Sequence, residues 1–125
     1  MPANNVPSPK WLADAEETDY PAAESYLSLI YVNGRVTQLI AELRTSITVR
    51  FKAKDIFRAS GLSLLGISNS HVERDREKVA QSEALSPLLL VRDPGNGKVV
   101  IADGYHRLCA VYSIAEDALI PCRIA

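Results

Sequence analysis

Apolar residues fall at helical spacing twice near the front of the chain. Ala22, Tyr26, Leu29 and Ile30 predict a helix over 21–31, with Pro21 at its start, where a missing N–H does no harm. Val36, Leu39, Ile40 and Leu43 predict a second helix over 35–44, and Asn33-Gly34 reads as the stop between them. The period then changes. Ile47, Val49 and Phe51 alternate with Thr48 and Arg50, the pattern of a half-buried strand over 46–52. Residues 53–60 suit a short helix or turn. Residues 61–70 are apolar but broken by Gly61 and Gly66, which suggests a loop with a packed middle. Residues 71–82 predict a surface helix anchored by Val72, Val79 and Ala80. Two strands, 87–91 and 98–102, flank Asp93-Pro94-Gly95-Asn96-Gly97, a strong hairpin signal. A helix over 104–115 carries Leu108, Val111, Tyr112 and Ala115 on one stripe. A last strand, 119–124, turns Ile120, Cys122 and Ile124 inward.

This order predicts a compact α+β domain with a small mixed sheet. Residues 1–20, rich in proline and then in acid, read as a mobile tail. Residues 21–45 read as a helical front subdomain, and 46–125 as the main domain. A chain of 125 residues buries enough surface to fold without a disulfide or metal staple. Cys109 and Cys122 form no CxxC pair and read as buried thiols. The first nine residues lack the basic start and apolar run of a signal peptide. No run approaches a membrane span, so a cytoplasmic protein without membrane contact is expected.

The net charge of -1 argues against polyanion binding by bulk electrostatics. Charge is uneven, however. Up to Leu43 there are six acidic and two basic residues; from Arg44 to Lys78 there are eight basic and four acidic. That basic stretch reads first as a solvated surface. As a nucleic-acid patch it is weak, because it lacks interleaved aromatics and has an apolar gap between Arg58 and Arg74.

The chemistry concentrates where the strand over 98–102 meets the next helix. Gly104 lets the backbone approach a ligand, and the first amides of the helix face an anion placed there. His106 and Arg107 lie in that first turn, and arginine suits bidentate phosphate contact. Tyr105 reads as a cover or stacking surface, since a phenol is a poor base near neutral pH. Asp103 suits a helix cap, and Arg107 has Asp103 or Glu83 as alternative partners. Arg107 lies outside the apolar stripe, so alanine there is expected to weaken ligand binding and spare the fold. His71, Glu73 and Asp75 form H-x-E-x-D, with His71 and Asp75 on one helix face. A third well-placed ligand is missing, so no metal site is expected from these residues.

The segment LSPLLLVRDPGNGKVVIADGYHRLCAVYSIAEDALIPCRI resembles the ParB N-terminal/sulfiredoxin-like superfamily. The likeness lies in the order of a strand, a hairpin, a glycine turn with basic residues, a helix and a closing "IP" strand. It covers roughly 51–124. The G-E-R-R-x-R-A motif of the ParB branch is kept only at Gly104, Arg107 and Ala110. The sulfiredoxin motif G-G-C-H-R is matched at His106 and Arg107, but Tyr105 stands at the nucleophilic cysteine, so sulfiredoxin chemistry is not implied. The D-G-H-H-R motif of the free serine kinases is matched at Asp103, Gly104, His106 and Arg107, with Tyr105 at the first histidine.

The resemblance implies nucleotide phosphates held at Gly104, Tyr105, His106 and Arg107, with Asp103 and His106 in catalytic positions. It also implies a carboxylate base from earlier in the domain, Glu73 or Asp75. The implied cofactor is ATP or another nucleotide with Mg2+, and the implied reaction is phosphoryl transfer to a small molecule. The alternative is a non-catalytic regulatory or DNA-associated domain that keeps the fold alone.

Overall fold

Leu88-Leu89-Leu90-Val91 is an unbroken apolar run, the signature of a strand covered on both faces. The computed structural model, which describes residues 8–66 and 68–125, places this run at the centre of a four-stranded sheet. The elements are β1 (Lys10–Trp11), α1 (Asp19–Leu27), α2 (Asn33–Thr45), β2 (Val49–Lys52), α3 (Ala53–Ser60), α4 (Ser70–Ala80), β3 (Ala84–Leu85), β4 (Leu88–Asp93), β5 (Lys98–Asp103), α5 (Tyr105–Ile114) and β6 (Leu119–Ile124). The fold is α+β. The main sheet has the order β2-β6-β4-β5; β4 and β6 are parallel and the other pairings antiparallel.

Leu89 and Val91 of β4, with Val100 and Ala102 of β5, turn to one face. There they pack against Tyr20, Ala23 and Leu27 of α1 and Val36, Leu39, Ile40 and Leu43 of α2. The helices expected as a front subdomain therefore share their core with the sheet. Leu88 and Leu90 turn to the other face and meet Ile56 of α3, Leu108 and Val111 of α5, and Ile120 and Cys122 of β6. α4 joins this layer through Val79 and packs along α5, where Val72 meets Cys109 and Ala110.

Several boundaries and faces differ from the sequence reading. α1 buries Tyr20, Ala23 and Leu27 and leaves Ala22, Tyr26, Leu29 and Ile30 exposed. The i, i+3, i+7 stripe that starts two residues earlier, at Tyr20, is the one the sheet covers. Asn33-Gly34 opens α2 rather than ending α1. On β2, Ile47 precedes the strand and is exposed, and Phe51 is exposed too. This is an edge strand paired only with β6, beyond the helices that cover the centre. The loop after α3, which ends on Gly61 at φ +68°, leaves Leu62 and Leu64 exposed. The part of that loop at Ile67 lies outside the described residues, as do residues 1–7 of the expected tail. Residues 8–20 are not a tail. β1 pairs in parallel with β3, Trp11 packs on the second core, and Asp14 meets Arg123 Nε at 2.8 Å. Both cysteines are buried and free, and burial pushes the Cys122 thiol up to about 12. No helix among the described residues is long and apolar enough to cross a membrane.

Candidate functional site

Two features of the sheet aim β5 at the site. β5 carries one extra residue opposite the Leu89–Leu90 step of β4, and such a bulge turns the strand end. Then Gly104 takes φ +109°, a backbone region that other residues rarely adopt. A Cβ at this position would stand 2.8 Å from Leu88 Cγ and 2.9 Å from Arg107 Nη2. Glycine is thus required twice, by the dihedral and by the space. α5 begins at Tyr105 with no side chain capping it, so its first amides have no intrahelical partner.

Asp103 does not cap this helix. Its Oδ2 accepts a hydrogen bond from Arg107 Nη2 at 3.1 Å, the pairing weighed above. The same nitrogen donates to the Pro87 carbonyl at 3.3 Å. Arg107 therefore ties the helix start to both neighbouring strand ends; the Asp103 pairing is among the expected alternatives, and the tie to Pro87 is not. Its Nε is buried and donates to no described group. Burial raises the Asp103 carboxyl above its ordinary value; Arg107 opposes that shift, and Asp19 at the start of α1 adds to it.

The second wall comes from α4. Asn69 Oδ1 accepts from the backbone N–H groups of His71 and Val72 and so fixes the first turn of that helix. His71, Arg74, Asp75 and Lys78 then face Asp103, Gly104, Tyr105, His106 and Arg107 across a pocket of about 210 Å3. The His71 and His106 rings lie 4.8 Å apart. Burial, then His71, then Arg107 hold His106 below the ordinary imidazole value, while Asp75 pulls it up. Tyr105 donates its hydroxyl proton to the Ser63 carbonyl and so closes the loop after α3 over the helix start. Tyr105→Phe should speed amide exchange over residues 62–65 and lower stability by about 1 kcal/mol, the scale of one hydrogen bond. Unchanged exchange there would mean that the hydroxyl does not hold the loop.

Of the residues singled out from sequence, Asp103, Gly104, Tyr105, His106 and Arg107 come together, and His71 joins them. Glu73 does not line the pocket; the carboxylate of α4 that does is Asp75. Arg74 and Lys78 were missed as site residues. Asp75 had a visible signal: it stands at the i+3 position of the stripe Val72, Asp75, Val79, a carboxylate where an apolar residue belongs. None of the ion pairs among the described residues includes Arg74, Asp75 or Lys78. The other basic residues of the stretch scatter over the surface: Arg44 pairs with Glu17, Lys52 and Lys54 with Asp117, and Arg58 with Asp55.

Burial raises the Asp75 carboxyl, with Arg107, Lys78, His106 and Arg74 opposing in that order. A carboxyl raised in the fold ionises more readily when unfolded, so its ionisation favours unfolding. The penalty is absent in acid and grows as pH rises through the folded value. Asp75→Asn is therefore expected to melt higher than the parent at pH 7, with the gap closing towards the ordinary carboxyl value of 3.8. A lower melting temperature at pH 7 would show that the carboxylate is structurally held.

A larger concavity, about 540 Å3, lies away from these residues between α3 and the β4–β5 turn. It is floored by Phe51, Leu90, Val99 and Ile124, and its charged wall residues, Asp55, Arg92 and Lys98, come with no histidine. The smaller polar pocket is where the chemistry converges. No protein-family model, no curated protein and no solved structure matches the chain.

Proposed function

We propose that the pocket between α4 and the Gly104 turn binds the phosphate groups of a nucleotide. The observation that carries this is the convergence of three permanent cations, Arg74, Lys78 and Arg107, and two histidines on an uncapped helix start. Only two carboxylates share the pocket, and one of them, Asp103, is already paired. An anion entering would gain charge-assisted hydrogen bonds and free backbone amides together.

The same residues suit phosphoryl transfer to a small molecule, in which positioning and charge neutralisation supply most of the rate. Arg74, Lys78 and Arg107 would offset the charge on the transferring group. His106, kept neutral by its burial, would accept the proton of an acceptor hydroxyl near neutral pH. Asp103 would hold Arg107 in place rather than react. Asp75, in place of Glu73, is the carboxylate placed to meet a Mg2+ ion carried by the nucleotide; an ion so bound needs only one or two protein carboxylates. When bound it would supply further charge neutralisation.

Titration calorimetry with ATP, ADP and CTP, each with Mg2+, tests the reading. At least one should bind, and Asp75→Asn should bind it more tightly in the absence of Mg2+, because a negative charge has been removed. No heat from any of the three at millimolar concentration would sink it.

A further inference from the structure

The pocket is small and charged throughout. Its volume of about 210 Å3 lies below the roughly 300–1,000 Å3 of sites that enclose a drug-sized ligand. No aliphatic side chain lines it, and its one phenol, Tyr105, is tethered to Ser63. It has room and charge for a phosphate chain and no slot for a base. The chain's two histidines both stand in it, with ring centroids 4.8 Å apart.

We propose that this site is a receptor for a polyphosphate chain, read by charge without the nucleoside, and that the chain enters together with a proton taken up by the His71–His106 pair. The proposal rests on the phosphate reading above and adds which part of the ligand is recognised and how recognition depends on pH.

The proton follows from what faces the pair. From α4 come Arg74, Asp75 and Lys78; from the end of β5 comes Asp103; from α5 come Tyr105 and Arg107. A proton on His106 is opposed by burial, by His71 beside it and by Arg107. Asp75 alone is an unpaired carboxylate on the favourable side. A phosphate chain reverses the sign of that balance. It draws a proton onto the pair, and by reciprocity the proton draws in the chain. Burial leaves the His106 ring neutral in the free protein, so its protonation depends on the charge that the chain brings. Affinity should therefore be highest in mild acid. It should fall by about tenfold per pH unit where one proton is taken up, once pH exceeds the imidazole value of the free protein.

Two measurements test this on the unmodified chain. Calorimetry with inorganic triphosphate, ATP and CTP, in two buffers of different ionisation heat, counts protons and compares ligands. Proton NMR follows both imidazoles directly, since no other histidine is present. The three ligands should bind within about fivefold of one another, and at least one imidazole should titrate at higher pH when triphosphate is bound. Sulfate, which does not titrate in this range, should show the same direction of pH dependence. ATP or CTP binding tens of times more tightly than triphosphate would overturn recognition of the chain alone. Imidazoles that titrate identically with and without ligand would overturn the proton step. If none of the ligands binds at any pH, the phosphate reading itself fails.

Discussion

Gly104→Val is expected to lower stability by about 3 kcal/mol and to abolish anion binding. The estimate joins about 1–2 kcal/mol for a side chain forced to positive φ with about 1–3 kcal/mol for overpacking. Both conditions are met here: φ is +109°, and the added Cβ would stand 2.8 Å from Leu88 Cγ. Leu88 is fully buried and cannot swing aside. The second obstacle, Arg107 Nη2 at 2.9 Å, is pinned to Asp103 and to the Pro87 carbonyl. For a chain of this length the loss corresponds to roughly 10 °C in Tm. Gly104→Ala should lie between parent and valine, because its Cβ meets the same clash without the β-branch. Denaturant melts of the three proteins check the ranking. A valine variant within 1 °C of the parent on the roughly 10 °C scale above would mean that the turn relaxes at no cost.

Arg107→Ala is expected to weaken phosphate binding by roughly ten- to a hundredfold, the equivalent of about 1.5–3 kcal/mol for a lost charged hydrogen bond. It should also destabilise the fold by a comparable amount, about 2 kcal/mol. The arginine is only 16% exposed, and its loss leaves the largely buried Asp103 without its partner. The pH dependence has a definite sign. Arg107 lowers the folded-state value of Asp103, so its stabilising effect is present above that value and is lost as pH falls through it. The stability gap between parent and variant should therefore be widest near neutral pH and shrink in acid. Arg107→Lys should keep part of the binding and lose the fork geometry. An alanine variant as stable as the parent would leave Asp103 and the Pro87 carbonyl without need of the guanidinium.

What the sequence revealed depended on how local its cause was. The β4–turn–β5 hairpin, β6 and the Gly104 turn were readable because turn residues and short periodicities fix them. The buried face of α2 was readable because Val36, Leu39, Ile40 and Leu43 form an uninterrupted stripe. The face of α1 was not. Its flanking apolar residues offered two phases, and the sheet decides between them by covering Tyr20, Ala23 and Leu27. The β1–β3 ladder is two residues long and joins segments some seventy positions apart; no local pattern encodes such a pairing. The site divides in the same way. Asp103 to Arg107 are contiguous and could be read together. Arg74, Asp75 and Lys78 enter only because α4 packs on α5 through Val72, Cys109 and Ala110; the stripe Val72, Asp75, Val79 that docks there turns Asp75 rather than Glu73 to the histidines.

The Gly104 turn and α4 are proposed to form one phosphate-binding pocket. Backbone amide NMR during titration with inorganic triphosphate tests it most directly. Saturable shifts should be largest at Gly104, Tyr105, His106 and Arg107, accompanied by shifts along α4 from His71 to Lys78, with little change around Phe51 and Val99 in the larger concavity. Shifts absent from the Gly104 turn at saturating ligand, or centred on that concavity, would contradict it.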